Sequence, residues 1–174
     1  MKTLCFYFKV HQPYRLKRYR FFEIGQDHYY YDDYSNENSL QYYSNVSYLE
    51  ANKTLLEMIR NSNKKFKVSF AISGLALEQF ELYAPEVIDS FKELADTGCV
   101  EFMAMPYAYS LASLYNENEF HDQVQLHSNK IKDLFGKKPQ VFCNTELIYS
   151  DEIASQVANM GYKSMVVEGA KHIL

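Results

Sequence analysis

Several short apolar runs in this sequence end in polar residues that could bind or transform a ligand. In "QVFCNTEL" (140–147), an apolar trio leads directly to Asn144, Thr145 and Glu146. The other runs are followed in the same way by His11 and Gln12, by Ser73, by Tyr107, Tyr109 and Ser110, and by Glu168. Hydroxyls, amides, an imidazole and carboxylates make up this set, and it has no Lys or Arg. Such a set suits a neutral, polyhydroxylated ligand better than a phosphate.

Glu146 is the strongest candidate for a catalytic group. A carboxylate is costly to bury without a partner, and the end of a buried strand is where α/β folds place catalytic residues. Asp151 and Glu152 follow Ser150 where a helix is predicted to begin. We therefore interpret these two carboxylates as helix N-terminal charges outside the site.

The elements that must position these residues alternate between strands and helices. Strands are predicted over 3–10, 66–73, 99–105, 140–144 and 163–169. Apolar residues at helical spacing predict helices over 46–62, over 75–83, from Pro85 to Gly98, from Asn116 to Gly136, and from Ser150 or Asp151 to Gly161. A polar, tyrosine-rich loop is predicted from His11 to about Asn45.

This alternation indicates an α/β fold of parallel strands joined by right-handed crossovers. Nearly continuous apolar strands such as "LCFYF" (4–8) are typical of a parallel sheet covered on both faces. A doubly wound sheet and a β/α barrel fit the periodicity equally well.

The composition excludes some classes of partner and compartment. A net charge of −4 argues against nucleic acid or an anionic membrane as a partner, and no apolar run is long enough to span a bilayer. The first residues are interpreted as a strand rather than a signal peptide. Cys5, Cys99 and Cys143 lie in or beside apolar runs, which predicts buried, reduced thiols and a cytoplasmic protein.

Neither a cofactor nor a metal is expected from the motifs. The sequence has no GxSxG, GxxxxGK[ST], GxGxxG or CxxC pattern. His121 and His127 are six residues apart, so one helix face does not present both, and His127 is predicted to be a core histidine. A metal site built from His11, Asp27 and His28 would need three residues that belong to no motif.

Five stretches, in order along the chain, resemble glycoside hydrolase family 57, which contains α-amylases and 4-α-glucanotransferases. "FYFKVHQPYRL" is similar to its opening His-Gln-Pro motif, and "FCNTELIYSDEIA" is similar to the segment around its nucleophile. Its second, third and fifth strand regions resemble "FKVSFAISGLALEQFE", "VEFMAMPYAYSLASL" and "MVVEGAKHIL".

The resemblance implies a (β/α)7 barrel that cleaves α-glucosidic bonds with retention, with Glu146 as nucleophile. It implies that His11 bonds a sugar hydroxyl at the cleavage point and that Tyr107 and Glu168 line that subsite. Gln12, Tyr109 and Asn144 are expected to be further substrate contacts. This chain departs from the family at Tyr109, where members commonly have His, and at Cys143, where relatives often carry a basic residue.

The resemblance places the acid/base aspartate of the family outside this chain. We therefore expect residues 1–174 to be a single N-terminal portion of the barrel, with the first five or so strand–helix units, and to be inactive alone. An α-glucan or malto-oligosaccharide is the expected substrate, with hydrolysis, transfer and oligomeric state left open. The alternatives are an inactive glucan-binding or scaffold barrel and, third, a metal-dependent deacetylase-like barrel.

Overall fold

The computed structural model describes residues 4–26 and 28–169. Its strands are β1 (Tyr7–Val10), β2 (Val68–Ile72), β3 (Val100–Phe102), β4 (Val141–Cys143) and β5 (Ser164–Val166). Its α-helices are α1 (Asp33–Tyr43), α2 (Leu49–Asn61), α3 (Gly74–Tyr83), α4 (Pro85–Asp96), α5 (Ala112–Tyr115), α6 (Glu117–Phe135) and α7 (Asp151–Asn159). A π-helix covers Ser44–Tyr48, and 3-10 helices cover Phe21–Glu23 and Thr145–Leu147.

The five described strands are parallel and lie side by side in chain order. β2 pairs with β1 and with β3, and β4 pairs with β5. A parallel bridge between Ala104 and Phe142 joins the two groups just beyond the end of β3. A doubly wound sheet would reverse its strand order at a switch point, whereas a β/α barrel adds each strand beside the previous one. The order therefore selects the barrel over the doubly wound sheet.

The two faces of the strands carry different residues. On the outer face, Phe70 and Phe102 pack on Phe91 of α4 and Phe135 of α6, with the Phe102 and Phe135 rings stacked 4.0 Å apart. On the inner face, a separate apolar cluster is formed by Ala71, Met103, Met105 and Cys143. Strand side chains alternate between faces, which separates this inner cluster from the outer aromatic one. The inner cluster lies under the carboxyl ends of the strands, where the candidate site residues were expected.

The prediction of a loop over 11–45 was wrong in its second half. A helix begins at Asp33, thirteen residues before the predicted start, and continues through the π-helical turn into α2. Asp32 caps it by accepting a hydrogen bond from the Ser35 N–H. Leu40 is fully buried in the main core. The segment is mostly polar, so one buried leucine and a cap give little helical periodicity in the sequence. Packing on α3 supplies the remaining stabilisation of the helix.

The prediction that "LCFYF" is buried was also wrong. β1 begins only at Tyr7, and Phe6, Tyr7 and Phe8 are exposed while Val10 is buried. Among the described strands β1 pairs on one side only, which leaves this part of the strand uncovered. Cys5 is exposed for the same reason, whereas Cys99 and Cys143 are buried as predicted, and all three thiols are free.

The long helix α6 agrees closely with its prediction. The Asn116 side chain accepts a hydrogen bond from the Glu119 N–H at 3.1 Å, and Gly136 ends the helix with φ of 76°. Phe120, Val124, His127 and Ile131 form its buried face. His127 is a core residue as predicted. No helix in the described parts of the chain is both long and apolar enough to cross a membrane.

Candidate active site

Glu146 lies in a strained turn directly after β4. Its backbone is left-handed at φ 51° and ψ 19°, and Leu147 follows at φ 59°. Residues other than glycine rarely adopt this conformation, and each instance costs roughly 1–3 kcal/mol. Asn144 braces the turn, because its Nδ2 donates to the Ile148 carbonyl at 2.9 Å and to Ser113 Oγ at 3.2 Å. The turn directs Glu146 over the inner face of the strands.

Tyr109 and Lys9 hold the Glu146 carboxylate from one side. The Tyr109 hydroxyl donates to Glu146 Oε1 at 2.7 Å and accepts from Lys9 Nζ at 2.5 Å. Lys9 Nζ also lies 3.8 Å from Glu146 Oε2. Tyr109 is itself left-handed at φ 56°. A strand-borne ammonium, a phenol and a carboxylate are thus linked in a single chain of polar contacts.

His11, the residue directly after β1, completes this group. Its ring stacks on the Tyr109 ring with centroids 4.3 Å apart, and its Nδ1 lies 2.8 Å from Ser73 Oγ. Ser73 Oγ also caps α3 by accepting from the Ala76 N–H at 3.2 Å. The structure therefore brings together four polar residues that sequence analysis had noted after four different strands, which are His11, Ser73, Tyr109 and Glu146.

Tyr107 occupies a second position beside this group. Its hydroxyl donates to Glu78 Oε1 at 2.7 Å, and Tyr14 donates to Glu78 Oε2 at 3.4 Å. Its ring lies directly against Gly74, where an added Cβ would be 2.5 Å from ring carbons. Burial, together with the adjacent Glu78 carboxylate, raises the pKa of the Tyr107 hydroxyl, so it remains a hydrogen-bond donor.

Three further residues expected in the site have different surroundings. Gln12 is buried, and its side-chain Nε2 lies 3.5 Å from Ser39 Oγ of α1. Its backbone carbonyl accepts a hydrogen bond from Gln79 Nε2. Asn144 is fully buried and supports the turn below Glu146. Glu168 is exposed two residues beyond β5. For Gln12 and Asn144 the observed contacts are internal to the protein.

Sequence analysis missed Lys9. The set after the strands was described as free of Lys and Arg, yet Lys9 lies inside β1 and its ammonium reaches Glu146. The available signal was period-two alternation, since Lys9 and His11 are two residues apart and share a face. The residues beyond each strand end do not include this cation, because Lys9 lies within the apolar run itself.

The electrostatics of the group follow from these contacts. The hydrogen bond with the Tyr109 hydroxyl raises the pKa of Lys9 above 10.5, so it is an ammonium at neutral pH. Burial, and then the positive charge of Lys9, lower the pKa of His11 below 6.5, which keeps its ring neutral near pH 7. Burial raises the pKa of the Cys143 thiol. The site therefore presents one cation, one exposed carboxylate and neutral hydrogen-bonding groups.

The described residues offer no metal centre. They contain no group of three or more His, Cys, Asp or Glu side chains that could hold an ion. Asp27, one of the three residues considered for a metal, lies outside the described ranges. One concavity lies between β3 and the 137–140 segment, at the opposite ends of the strands.

This geometry defines a class of protein, the parallel β/α barrel, with a carboxylate and sugar-compatible polar groups at the carboxyl ends of its strands. The family model "Glycosyl hydrolase family 57" matches residues 5–174, and the chain belongs to that family.

One relative, a "Putative alpha-amylase" of Methanocaldococcus jannaschii, is 37% identical over 177 residues. The match covers 98% of this chain and 37% of that protein. The chain thus spans little more than a third of the length of this relative.

Two solved structures share the fold. The 4-alpha-glucanotransferase of Thermococcus litoralis superimposes with a TM-score of 0.64 at 18% identity, over 94% of this chain and 22% of that chain. The GH57-type branching enzyme of Pyrococcus horikoshii gives 0.63 at 13% identity, over 92% of this chain and 40% of that chain. The predicted parallel β/α barrel of (β/α)7 type is confirmed.

Proposed function

We propose that this chain supplies the nucleophile side of a retaining glycoside hydrolase site acting on α-glucans, with Glu146 as the nucleophile. One observation carries the proposal. A carboxylate that is 65% exposed is held at the end of β4 by a left-handed turn, with Tyr109 fixing one of its oxygens. The left-handed backbone at Glu146 costs free energy, and the side chain that it holds is open to solvent. Such a group is suited to contact a ligand.

The family and its members support the substrate class. The relatives named above are a "Putative alpha-amylase", a 4-alpha-glucanotransferase and a branching enzyme. The uncharged site groups, His11, Ser73, Tyr107 and Tyr109, suit sugar hydroxyls and the apolar faces of sugar rings. These are the residues that we propose as substrate contacts, together with Gln12, Asn144 and Glu168 as the resemblance implies.

The proposed mechanism is double displacement. Glu146 attacks the anomeric carbon and forms a glycosyl-enzyme, which water then hydrolyses or an acceptor sugar intercepts. A second carboxyl group roughly 5–5.5 Å from the first must protonate the leaving oxygen and later activate the water. By resemblance that group is an aspartate outside residues 1–174, so we propose that turnover needs the protein that includes it.

A glucan-binding barrel without catalysis is the second candidate. The observation that favours it is the Tyr109 hydroxyl on Glu146, at a position where family members commonly have histidine. A carboxylate engaged in this way could accept hydrogen bonds from sugar hydroxyls without attacking the anomeric carbon. Under this alternative the protein binds malto-oligosaccharides but leaves them intact.

The test is cleavage of maltoheptaose by the longest natural form of the gene product. Wild type should cut or transfer, and Glu146→Gln should lose about 10⁴-fold or more of kcat, because the amide cannot form the glycosyl-enzyme. Glu152→Gln is the matched control, since Glu152 is exposed at the start of α7 and lies outside the proposed site.

Two results would contradict the proposal. If neither wild type nor Glu146→Gln cuts, while both bind maltoheptaose in calorimetry, the protein is a binding barrel. If Glu146→Gln cuts as fast as wild type, the nucleophile has been misassigned.

A further inference from the structure

We infer that Lys9 drives the breakdown of the glycosyl-enzyme by stabilising the Glu146 carboxylate as it re-forms. This role rests on the proposed function, because it requires Glu146 to be the nucleophile. Neither the family match nor the named relatives assign any function to Lys9. The geometry of the carboxylate and its two neighbours carries the inference.

The two oxygens of Glu146 are not equivalent. Oε1 accepts a hydrogen bond of 2.7 Å from the Tyr109 hydroxyl. Oε2 has Lys9 Nζ at 3.8 Å, which is an ion-pair distance but too long for a hydrogen bond. Oε2 therefore keeps its lone pairs available, and the geometry assigns it as the oxygen that bonds to the anomeric carbon.

Lys9 is well suited to a fixed electrostatic role. Its side chain is only 32% exposed, and the hydrogen bond to Tyr109 holds its ammonium in place. The cation needs no rearrangement when charge returns to Glu146, which is the condition under which such groups contribute most. The neighbouring Cys143 is a buried thiol and supplies no positive charge.

The charge on Glu146 changes in opposite directions in the two steps. In the first step Oε2 donates a lone pair to the anomeric carbon, the bond to the leaving oxygen breaks, and the negative charge of Glu146 is lost. In the second step a water oxygen attacks the same carbon, the bond from carbon to Oε2 breaks, and its electron pair restores the carboxylate. The water proton goes to the second carboxyl group of the double-displacement mechanism. A fixed ammonium beside Oε2 therefore favours the second step and disfavours the first.

Removing the charge should slow breakdown selectively. In Lys9→Met the second step becomes slower, the glycosyl-enzyme accumulates, and kcat and KM fall together. We expect kcat to fall about tenfold and KM to fall further than kcat. This effect is smaller than that of a fully enclosed stabilising group, because Glu146 is largely exposed. The ratio kcat/KM, which reports formation of the intermediate, should not fall and should rise by a few-fold, because the ammonium disfavours that step.

The experiment uses the longest natural form of the gene product with maltoheptaose, and combines steady-state kinetics with intact-mass spectrometry after acid quenching. Lys9→Met should show a covalent adduct of hexose units that is scarce in wild type and absent in Lys9→Met/Glu146→Gln. Lys9→Arg, which keeps the charge, should restore most of kcat. Lys67→Met is the matched control, since Lys67 is exposed just before β2 at the other end of the strands.

The possible failures are distinguishable. If wild type turns over and Glu146→Gln does not, but Lys9→Met lowers kcat/KM without accumulating adduct, Lys9 is only structural and this inference is overturned. If kcat, KM and the level of adduct in Lys9→Met equal those of wild type, the inference is also overturned. If wild type does not turn over at all, the proposed function fails and the role of Lys9 fails with it.

Discussion

The contact between Gly74 and the ring of Tyr107 allows a quantitative test of the site architecture. Gly74 is the first residue of α3, and a Cβ added there would lie 2.5 Å from Tyr107 Cγ and Cδ2 and 2.6 Å from Cδ1. Ordinary contacts between carbon atoms are about 3.5–4.0 Å. In Gly74→Ala the ring would therefore have to move by about 1 Å.

The ring cannot move freely, so the substitution should be destabilising. The clashing atoms are at the base of the ring, close to the backbone, and the hydroxyl at its tip is bonded to Glu78. Overpacking of this kind costs about 1–3 kcal/mol. Replacing a helical glycine with alanine offsets at most about 1 kcal/mol of that. We expect Gly74→Ala to lower the free energy of unfolding by about 1–2 kcal/mol.

A double-mutant cycle with Tyr107→Ala isolates the contact. Urea unfolding followed by far-UV circular dichroism would give the four free energies of unfolding. Without the ring the three clashing atoms are gone, and Gly74→Ala should become neutral or stabilising by up to about 1 kcal/mol. An equal loss of stability in both backgrounds would refute the argument that the Tyr107 ring is fixed by its packing on Gly74.

Two further predictions concern the folded protein as a whole. Burial holds the pKa of His127 at about 4 against 6.5 for the free side chain, so the unfolded chain binds more protons between these values. The free energy of unfolding should be highest above pH 6.5 and should fall by about 3 kcal/mol towards pH 4. Urea titrations at several pH values should show this decrease in wild type but not in His127→Gln. Among the thiols, Cys5 is exposed and Cys99 and Cys143 are buried. A thiol reagent should modify Cys5 alone before unfolding, and rapid modification of all three would contradict the described packing.

Much of the secondary structure was predictable because its signals are local. Asn116 and Gly136 delimit α6, and Pro85 begins α4, in each case through backbone chemistry confined to a few neighbouring residues. The helix beginning at Asp33 was not predictable in the same way. Its stability depends on Leu40 reaching the core and on contact with α3, and neither leaves a periodic pattern in a polar segment.

What the sequence determined by itself was the alternation of parallel strands and helices and the position of Glu146 at the end of β4, because apolar runs and capping residues act over short distances. Only the tertiary structure decided that the strands follow one another in barrel order, which rests on pairings such as that of Ala104 with Phe142. It also decided that Lys9 reaches Glu146 through Tyr109, a hundred residues along the chain from Lys9. Such contacts depend on the relative placement of distant strands, and no local spacing of residue types encodes that placement.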